Sequence, residues 1–269
     1  VKAIAKYLAL GLGAVVFAYP FLWMIASSLK PEAEIGGFGL WSQHFTFFNY
    51  SQVLERIPLG RAFLNSIIVS LSSTISVVVF GSMVGYALAR LRFTGRGALY
   101  AIVVFTMTLP FQITLIPQYI LMVKLGITDT YLALVAPTLM TAFSIILFRQ
   151  FFLYIPQALI DAARIDGCSE LRILFRVIWP LSRPVVITVS LLTFMSSWNE
   201  VLWPLIVVRN RSLMTMPQLV TLFTIGGEAE SLLGLQLAAA TLLALPIIIT
   251  YSFFQRYFIE SMASAGIKG

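Results

Sequence analysis

The chain has 269 residues, of which 59% are hydrophobic and only 11% charged, with a formal net charge of +7. Soluble domains carry about 25% charged residues, so this chain could not cover its own surface in water, and its wealth of Leu, Ile, Val and Phe excludes disorder. One cysteine (Cys168) and one histidine (His44) exclude an internal disulfide and a Cys/His metal cluster. The remaining class is an all-α integral membrane protein.

A bilayer core of about 30 Å takes roughly 20 helical residues to cross. Uncharged runs of that order predict six spans, at residues 7–29, 62–89, 97–123, 130–148, 184–208 and 231–255. The runs are continuously apolar rather than alternating, which predicts helices and not a β-barrel. The first run follows Lys2 and Lys6 like a signal peptide, but it is longer than an h-region of about 7–15 residues and reads as a retained helix. Pro110 and Pro117 are expected to bend the third helix. Gly81 and Gly85 form a GxxxG pair, which ordinarily means close helix packing.

With six spans both termini share one side. That side holds twelve of the 18 Lys and Arg residues against six on the other. The positive-inside rule therefore predicts cytoplasmic termini. The basic residues lie in short clusters between spans rather than in one patch, so a nucleic-acid partner is not expected. The whole chain, 1–269, is expected to be a single membrane domain.

No G-x-x-x-x-G-K-[ST] loop occurs, so ATP would have to be bound elsewhere. No TVGYG filter and no Arg-rich helix occurs. Glu200 is the one ionisable residue inside a run, a thin basis for a proton-coupled sugar carrier working without ATP. A membrane-embedded enzyme has no catalytic constellation behind it, and no catalytic residue is assigned.

Residues 149–183 are too long and too patterned for a connector. Pro156 suits a helix start and Gly167 its C′ position. Leu159, Ala162 and Ala163 are spaced to share a face of mostly small side chains. A second amphipathic stretch, 170–178, is expected to end at Pro180. Two readings stand on composition alone: a docking helix for another protein, or a helix lying on lipid headgroups.

Asp161-Ala162-Ala163, Asp166-Gly167, Val177 and Pro180 resemble the "EAA" signature of ABC-importer permeases, with the same spacing throughout. Asp161 stands where Glu is usual, and Leu174 where Phe is common. Further pieces occur in family order: Phe45–Tyr50, Asn65-Ser66-Ile67, Tyr86–Phe93, Trp198-Asn199-Glu200 with Trp203-Pro204-Leu205, and the C-terminal Gln255–Phe258 and Ala265–Gly269. The set resembles the shorter, six-span permease of maltose-type carbohydrate importers.

The resemblance implies a type I ABC importer permease fold with a cytoplasmic coupling helix between spans 4 and 5. It implies a heterodimer with a second permease, two ATPase subunits that bind ATP and Mg, and an outer substrate-binding protein. Asp161, Ala162, Ala163, Asp166, Gly167, Cys168 and Glu170 would form the coupling contact. Asp161 and Asp166 would supply charge-assisted hydrogen bonds, and Ala162 and Ala163 the close fit. Ala265, Gly266, Ile267, Lys268 and Gly269 would enter the ATPase interface, or else form a frayed end.

For the substrate pathway the candidates are Gln112, Trp198, Asn199 and Glu200, as sugar sites use aromatic faces and hydrogen-bonding side chains. Trp198 and Trp203 equally suit an interfacial belt, and Asn199 an interhelical hydrogen bond. No cofactor or metal is expected in this chain.

Overall fold

The computed structural model describes residues 2–226, 229 and 232–266, with Lys2, Thr250 and 253–266 as backbone only. All regular structure among the described residues is helical. In chain order the helices are α1 (Lys2–Ser28), α2 (Phe48–Arg56), α3 (Leu59–Arg90), α4 (Arg96–Thr106), α5 (Phe111–Lys124), α6 (Tyr131–Val135), α7 (Ala142–Leu153), α8 (Gln157–Ile165), α9 (Glu170–Ile173), α10 (Trp179–Leu181), α11 (Arg183–Trp198), α12 (Leu202–Val207), α13 (Met216–Ile225) and α14 (Leu233–Gly266). Thr130, Thr141 and Ser169 start α6, α7 and α9, each side chain accepting a first-turn N–H.

The long apolar runs are helical as expected, but three are broken. α1 and α3 are each long and apolar enough to cross a bilayer unaided. The run at 97–123 is instead α4 and α5, meeting at 103°. Pro110 holds extended backbone (φ −61°, ψ 135°) and has no N–H to offer the ladder. Pro117 lies inside α5 without ending it, so only one of the two prolines makes the bend. α4 and α5 are about 16 and 21 Å long, and neither crosses 30 Å alone.

The run at 130–148 bends by 47° before α7 and continues to Leu153. The run at 184–208 ends its main helix at Trp198, and α12 follows as a separate short helix. The 170–178 stretch passes through a π-helical turn, Leu174–Ile178, and runs on past Pro180 to Leu181. It then meets α11 at 90°.

Two compact units are present, residues 1–62 with 216–250, and residues 63–215 with 251–269. In the first, the Glu32 carboxylate accepts the N–H groups of Leu233 and Gly234 at 2.7 and 2.9 Å, capping α14. The Asn49 amide donates to the carbonyls of Ser28 and Lys30, both at 2.9 Å. Asn49 also approaches Gly234 so closely that a Cβ there would lie 2.7 Å from its nitrogen.

The second unit is built on close packing of α3 against α7. A Cβ on Gly81 would lie 2.5 Å from the Ser144 hydroxyl oxygen, and one on Gly85 2.7 Å from the Phe148 Cβ and 3.1 Å from the Arg149 nitrogen. The GxxxG pair thus does what close packing requires. Behind it Tyr86, Phe148, Phe152, Ile160, Ala163 and Ile173 belong to one buried cluster. α8 is therefore seated on the unit's core, not suspended from it.

Candidate functional site

α8 starts at Pro156 and closes with a complete Schellman motif. Cys168 N–H reaches the Ala163 carbonyl and Gly167 N–H the Arg164 carbonyl, both at 3.0 Å. Gly167 takes φ +78°, a left-handed conformation that glycine adopts without a Cβ penalty. Pro156 stands just before the first turn and Gly167 just past the last.

Its faces differ from the expectation. Ile160 and Ala163 are buried at 0% and 8% exposure, whereas Leu159, Asp161, Ala162 and Asp166 are exposed. Ala163 packs into the unit's own core, so it has no surface to give a partner. Ala162 keeps one. A helix with i, i+3 and i+4 spacing has flanks, and burying Ile160 turned Ala163 inward.

A closed ring of six side chains holds α8 to α3. Tyr86 donates its hydroxyl to Glu170 at 2.5 Å. Arg164 grips Glu170 with two nitrogens, at 2.8 and 3.3 Å, and reaches Asp161 at 3.1 Å. Gln157 donates to Asp161 at 3.0 Å, and Arg90 donates to Gln157 at 3.1 Å. Tyr86 and Arg90, one turn apart on α3, complete the circle. The hydrogen bonds to Glu170 hold the Arg164 guanidinium more basic than usual.

Arg90 also donates to the Phe152 carbonyl at 3.0 and 2.6 Å and to the Ile155 carbonyl, capping α7. Arg90, Arg92, Gln157, Asp161 and Arg164 border a polar cavity of about 440 Å³. Glu170 is thus a brace within the chain, while Asp161 and Asp166 are presented outward. Cys168 packs against the core as the motif's last residue. Ala265 and Gly266 fall where only backbone is described, and Ile267, Lys268 and Gly269 lie outside the described residues.

A second cavity, of about 590 Å³, is bordered by α3, α5, α7, α11 and α12. Such a volume suits a small-molecule site. Its wall is mainly apolar, with Phe111, Phe143 and Leu192 among its residues; Ser73, Thr138, Thr193, Ser196 and Ser197 are interspersed, and Glu200 is its one ionisable side chain. Of the four pathway candidates only Glu200 lines it.

Gln112 is exposed beside Phe111 and is not among the lining residues. Trp198 is 2% exposed and packs against Phe63 and Phe194, with ring centroids 5.7 and 5.9 Å away. It is enclosed by the chain's own aromatic side chains and is not among the cavity's lining residues. Asn199 ends α11, its amide donating to the Met195 carbonyl at 2.8 Å. Trp203 is buried, its indole donating to the Ala133 carbonyl at 2.9 Å. Glu200, one residue ahead of the N-cap Val201, accepts the Trp203 N–H at 3.1 Å and so satisfies a first-turn donor of α12. The hydroxyl residues were overlooked because single Ser and Thr in apolar runs commonly bond their own helix, as Ser76 does to Ser73.

On the far side of α12, Asp129 (φ +56°) accepts the N–H groups of Arg209 and Asn210 at 2.6 and 2.8 Å. Asn65 donates to the carbonyls of Ser212 and Met214, both at 2.9 Å, and accepts the Tyr131 hydroxyl at 2.6 Å. These bonds fix the loop that follows α12.

Residues 78–264 match the family described as binding-protein-dependent transport system inner membrane component. The chain is 36% identical over 262 residues to the arabinooligosaccharides transport system permease protein AraQ of Halalkalibacterium halodurans, covering 95% of this chain and 93% of that one. It is 33% identical to the protein of the same name in Bacillus subtilis (94% and 92% covered) and 28% identical to the lactose transport system permease protein LacG of Rhizobium radiobacter (96% and 94%). Among solved structures it is similar to a chain of a bacterial ABC transporter involved in the import of the acidic polysaccharide alginate, with a TM-score of 0.84, 26% identity and 96% of each chain covered. The chain therefore belongs to the binding-protein-dependent inner membrane components, the non-catalytic permease subunits of ABC importers.

Proposed function

We propose that the chain is one permease of a heterodimer that imports a carbohydrate, driven by two separate ATPase subunits and supplied by an outer binding protein. It works as one domain, 1–269, of six spans with both termini in the cytoplasm. The broken pairs α4–α5 and α6–α7 each count as one span, and α11 with α12 as another. ATP and Mg are bound by the ATPases.

The observation that carries this reading is α8 itself. It presents Asp161, Ala162 and Asp166 outward while Ile160 and Ala163 lock it to the core. Through the six-residue ring it is tied to α3, so a push on α8 moves the span. Closure of the ATPases would thus shift a two-state permease between inward- and outward-open forms, by differential binding. The C-terminal residues Ala265–Gly269 would add a second ATPase contact.

The cavity between α3, α5, α7, α11 and α12, mainly apolar with scattered hydroxyls, would form this subunit's part of the pathway. The relatives named for arabino-oligosaccharides and lactose support an oligosaccharide cargo. Glu200 is engaged with the first turn of α12, which leaves the proton-carrier reading without a dedicated relay. Reconstitution in vesicles tests the proposal. The chain with a second permease, an ATPase and a binding protein should take up labelled arabino-oligosaccharide only with ATP, and vanadate should stop it. Uptake by this chain alone would refute it.

A further inference from the structure

Residues 36–48 contain no Lys, Arg, Asp or Glu, yet carry five exposed aromatic side chains. Phe38, Trp41 and Phe47 are 84%, 83% and 76% exposed, with Phe45 and Phe48 at 48% and 59%. A contiguous apolar patch of this kind needs a cover. The segment folds back along α1 and does not stand away from it. Trp23 donates its indole N–H to the Gly37 carbonyl at 3.0 Å, and Tyr19 donates its hydroxyl to the Phe38 carbonyl. The Lys30 ammonium donates to the Gly39 carbonyl at 2.5 Å.

Those donors set a depth. Tyr19 lies nine residues before the end of α1 at Ser28, about 13 Å down the helix axis. Phe38 is therefore beside the apolar body of α1, whose surface is mostly exposed up to Leu22 and becomes covered only over its last turn. Three successive carbonyls are each satisfied by a side chain, which irregular backbone needs when water is absent. Polar groups gather at the opposite end, where Glu34 accepts from the Ser42 hydroxyl at 2.5 Å and meets the His44 ring at 2.8 Å. Trp41 packs edge-on against Phe45, with centroids 5.7 Å apart.

We propose that residues 36–48 form a monotopic anchor, seated in the leaflet nearest Ser28 with Phe38 and Trp41 among lipid acyl chains and Ser42–His44 at the headgroups. The partner is lipid. An apolar ring body with a wet polar edge suits that boundary. The anchor would hold Lys30, Glu32 and Asn49, and with them the start of α14, at a set depth. The inference rests on α1 crossing the bilayer, and the test separates the two.

Nitroxide labels are placed by Phe38→Cys and Trp41→Cys in a Cys168→Ser background, with Val16→Cys, 61% exposed, as a mid-helix reference. The assembled importer is studied in nanodiscs of phosphatidylethanolamine and phosphatidylglycerol. Collision with oxygen should exceed collision with an aqueous nickel chelate several-fold at positions 38 and 41, as at 16. Nickel-accessible labels at 38 and 41, with position 16 still in lipid, overturn the anchor alone. Labels that meet neither reagent also overturn it, by showing a protein partner over the patch. Nickel at position 16 overturns the span and the anchor together. As a check without labels, the fluorescence lost in Trp41→Phe should be the part quenched by brominated lipid and spared by iodide. The reverse pattern counts against the anchor.

Discussion

Arg164 meets Glu170 with two guanidinium nitrogens, and the same carboxylate takes the Tyr86 hydroxyl from a helix 84 positions earlier in the chain. α8 is thereby fastened to α3 at its C-terminal end, while Arg90 and Gln157 fasten its start. The pair is half exposed, so its direct worth in stability is about 1 kcal/mol or less. Its value is positional.

Glu170→Ala and Tyr86→Phe should therefore leave membrane insertion and ATP hydrolysis largely intact and lower uptake per ATP several-fold. Glu170→Ala combined with Arg164→Ala should lose little more than either alone, because both break one link. Parallel measurement of hydrolysis and uptake in vesicles checks this. Additive losses would mean that the two residues act separately.

Ala162 and Ala163, adjacent in sequence, should separate cleanly. Ala162→Trp should accumulate in the membrane at normal levels yet uncouple hydrolysis from uptake. Ala163→Trp should fail earlier, since it overfills a core site at about 1–3 kcal/mol or more. Thermal unfolding of the purified variants, alongside uptake, distinguishes them.

Gly167→Pro should be more damaging than Gly167→Ala. Proline cannot reach φ +78°, and it removes the N–H that bonds Arg164. Alanine loses about 1–2 kcal/mol to left-handed strain. Protease sensitivity between α8 and α9 should rise in that order, and uptake should fall with it.

Asp129 gives a pH dependence. The N–H groups of Asn210 and Arg209 hold its carboxyl below its ordinary value of 3.8. A depressed folded value means that the stabilisation is present above that ordinary value and is lost as pH falls through the folded one. The loop after α12 should thus loosen only in strong acid, below about pH 4. Asp129→Asn should tolerate the left-handed backbone but weaken the loop at neutral pH and flatten the acid response. Hydrogen exchange at Arg209 and Asn210 reads both effects.

Glu200→Gln keeps an acceptor for the Trp203 N–H, so it should retain uptake and remain indifferent to an ionophore. Glu200→Ala removes a hydrogen bond to the first turn of α12, worth about 1 kcal/mol, and should disturb the cavity wall. Abolition of uptake by the glutamine variant would restore the proton-carrier reading.

Much of this was legible from local chemistry. Long uncharged runs declared helices, and Pro156 and Gly167 bounded α8. What could not be read was whatever depends on distant partners. Nothing in the sequence near Glu170 names Tyr86, so Glu170 looked like a contact for another protein when it is an internal brace. Trp198 looked like a pathway or belt residue because indole suits both, yet Phe63 and Phe194 enclose it. Proline content alone could not tell that Pro110 breaks a helix and Pro117 does not. Serine and threonine give no sign in sequence of whether they face a cavity or their own backbone.

The carboxylate of Glu32 finishes the first turn of α14 from 201 residues upstream. During synthesis that acid and its buried neighbours must wait for a partner 201 residues further along the chain. Assembly of this region therefore follows emergence of the α14 start, late relative to the segment that holds Glu32. Truncation ahead of Leu233 would strand the early segment, making it a natural substrate for membrane quality control.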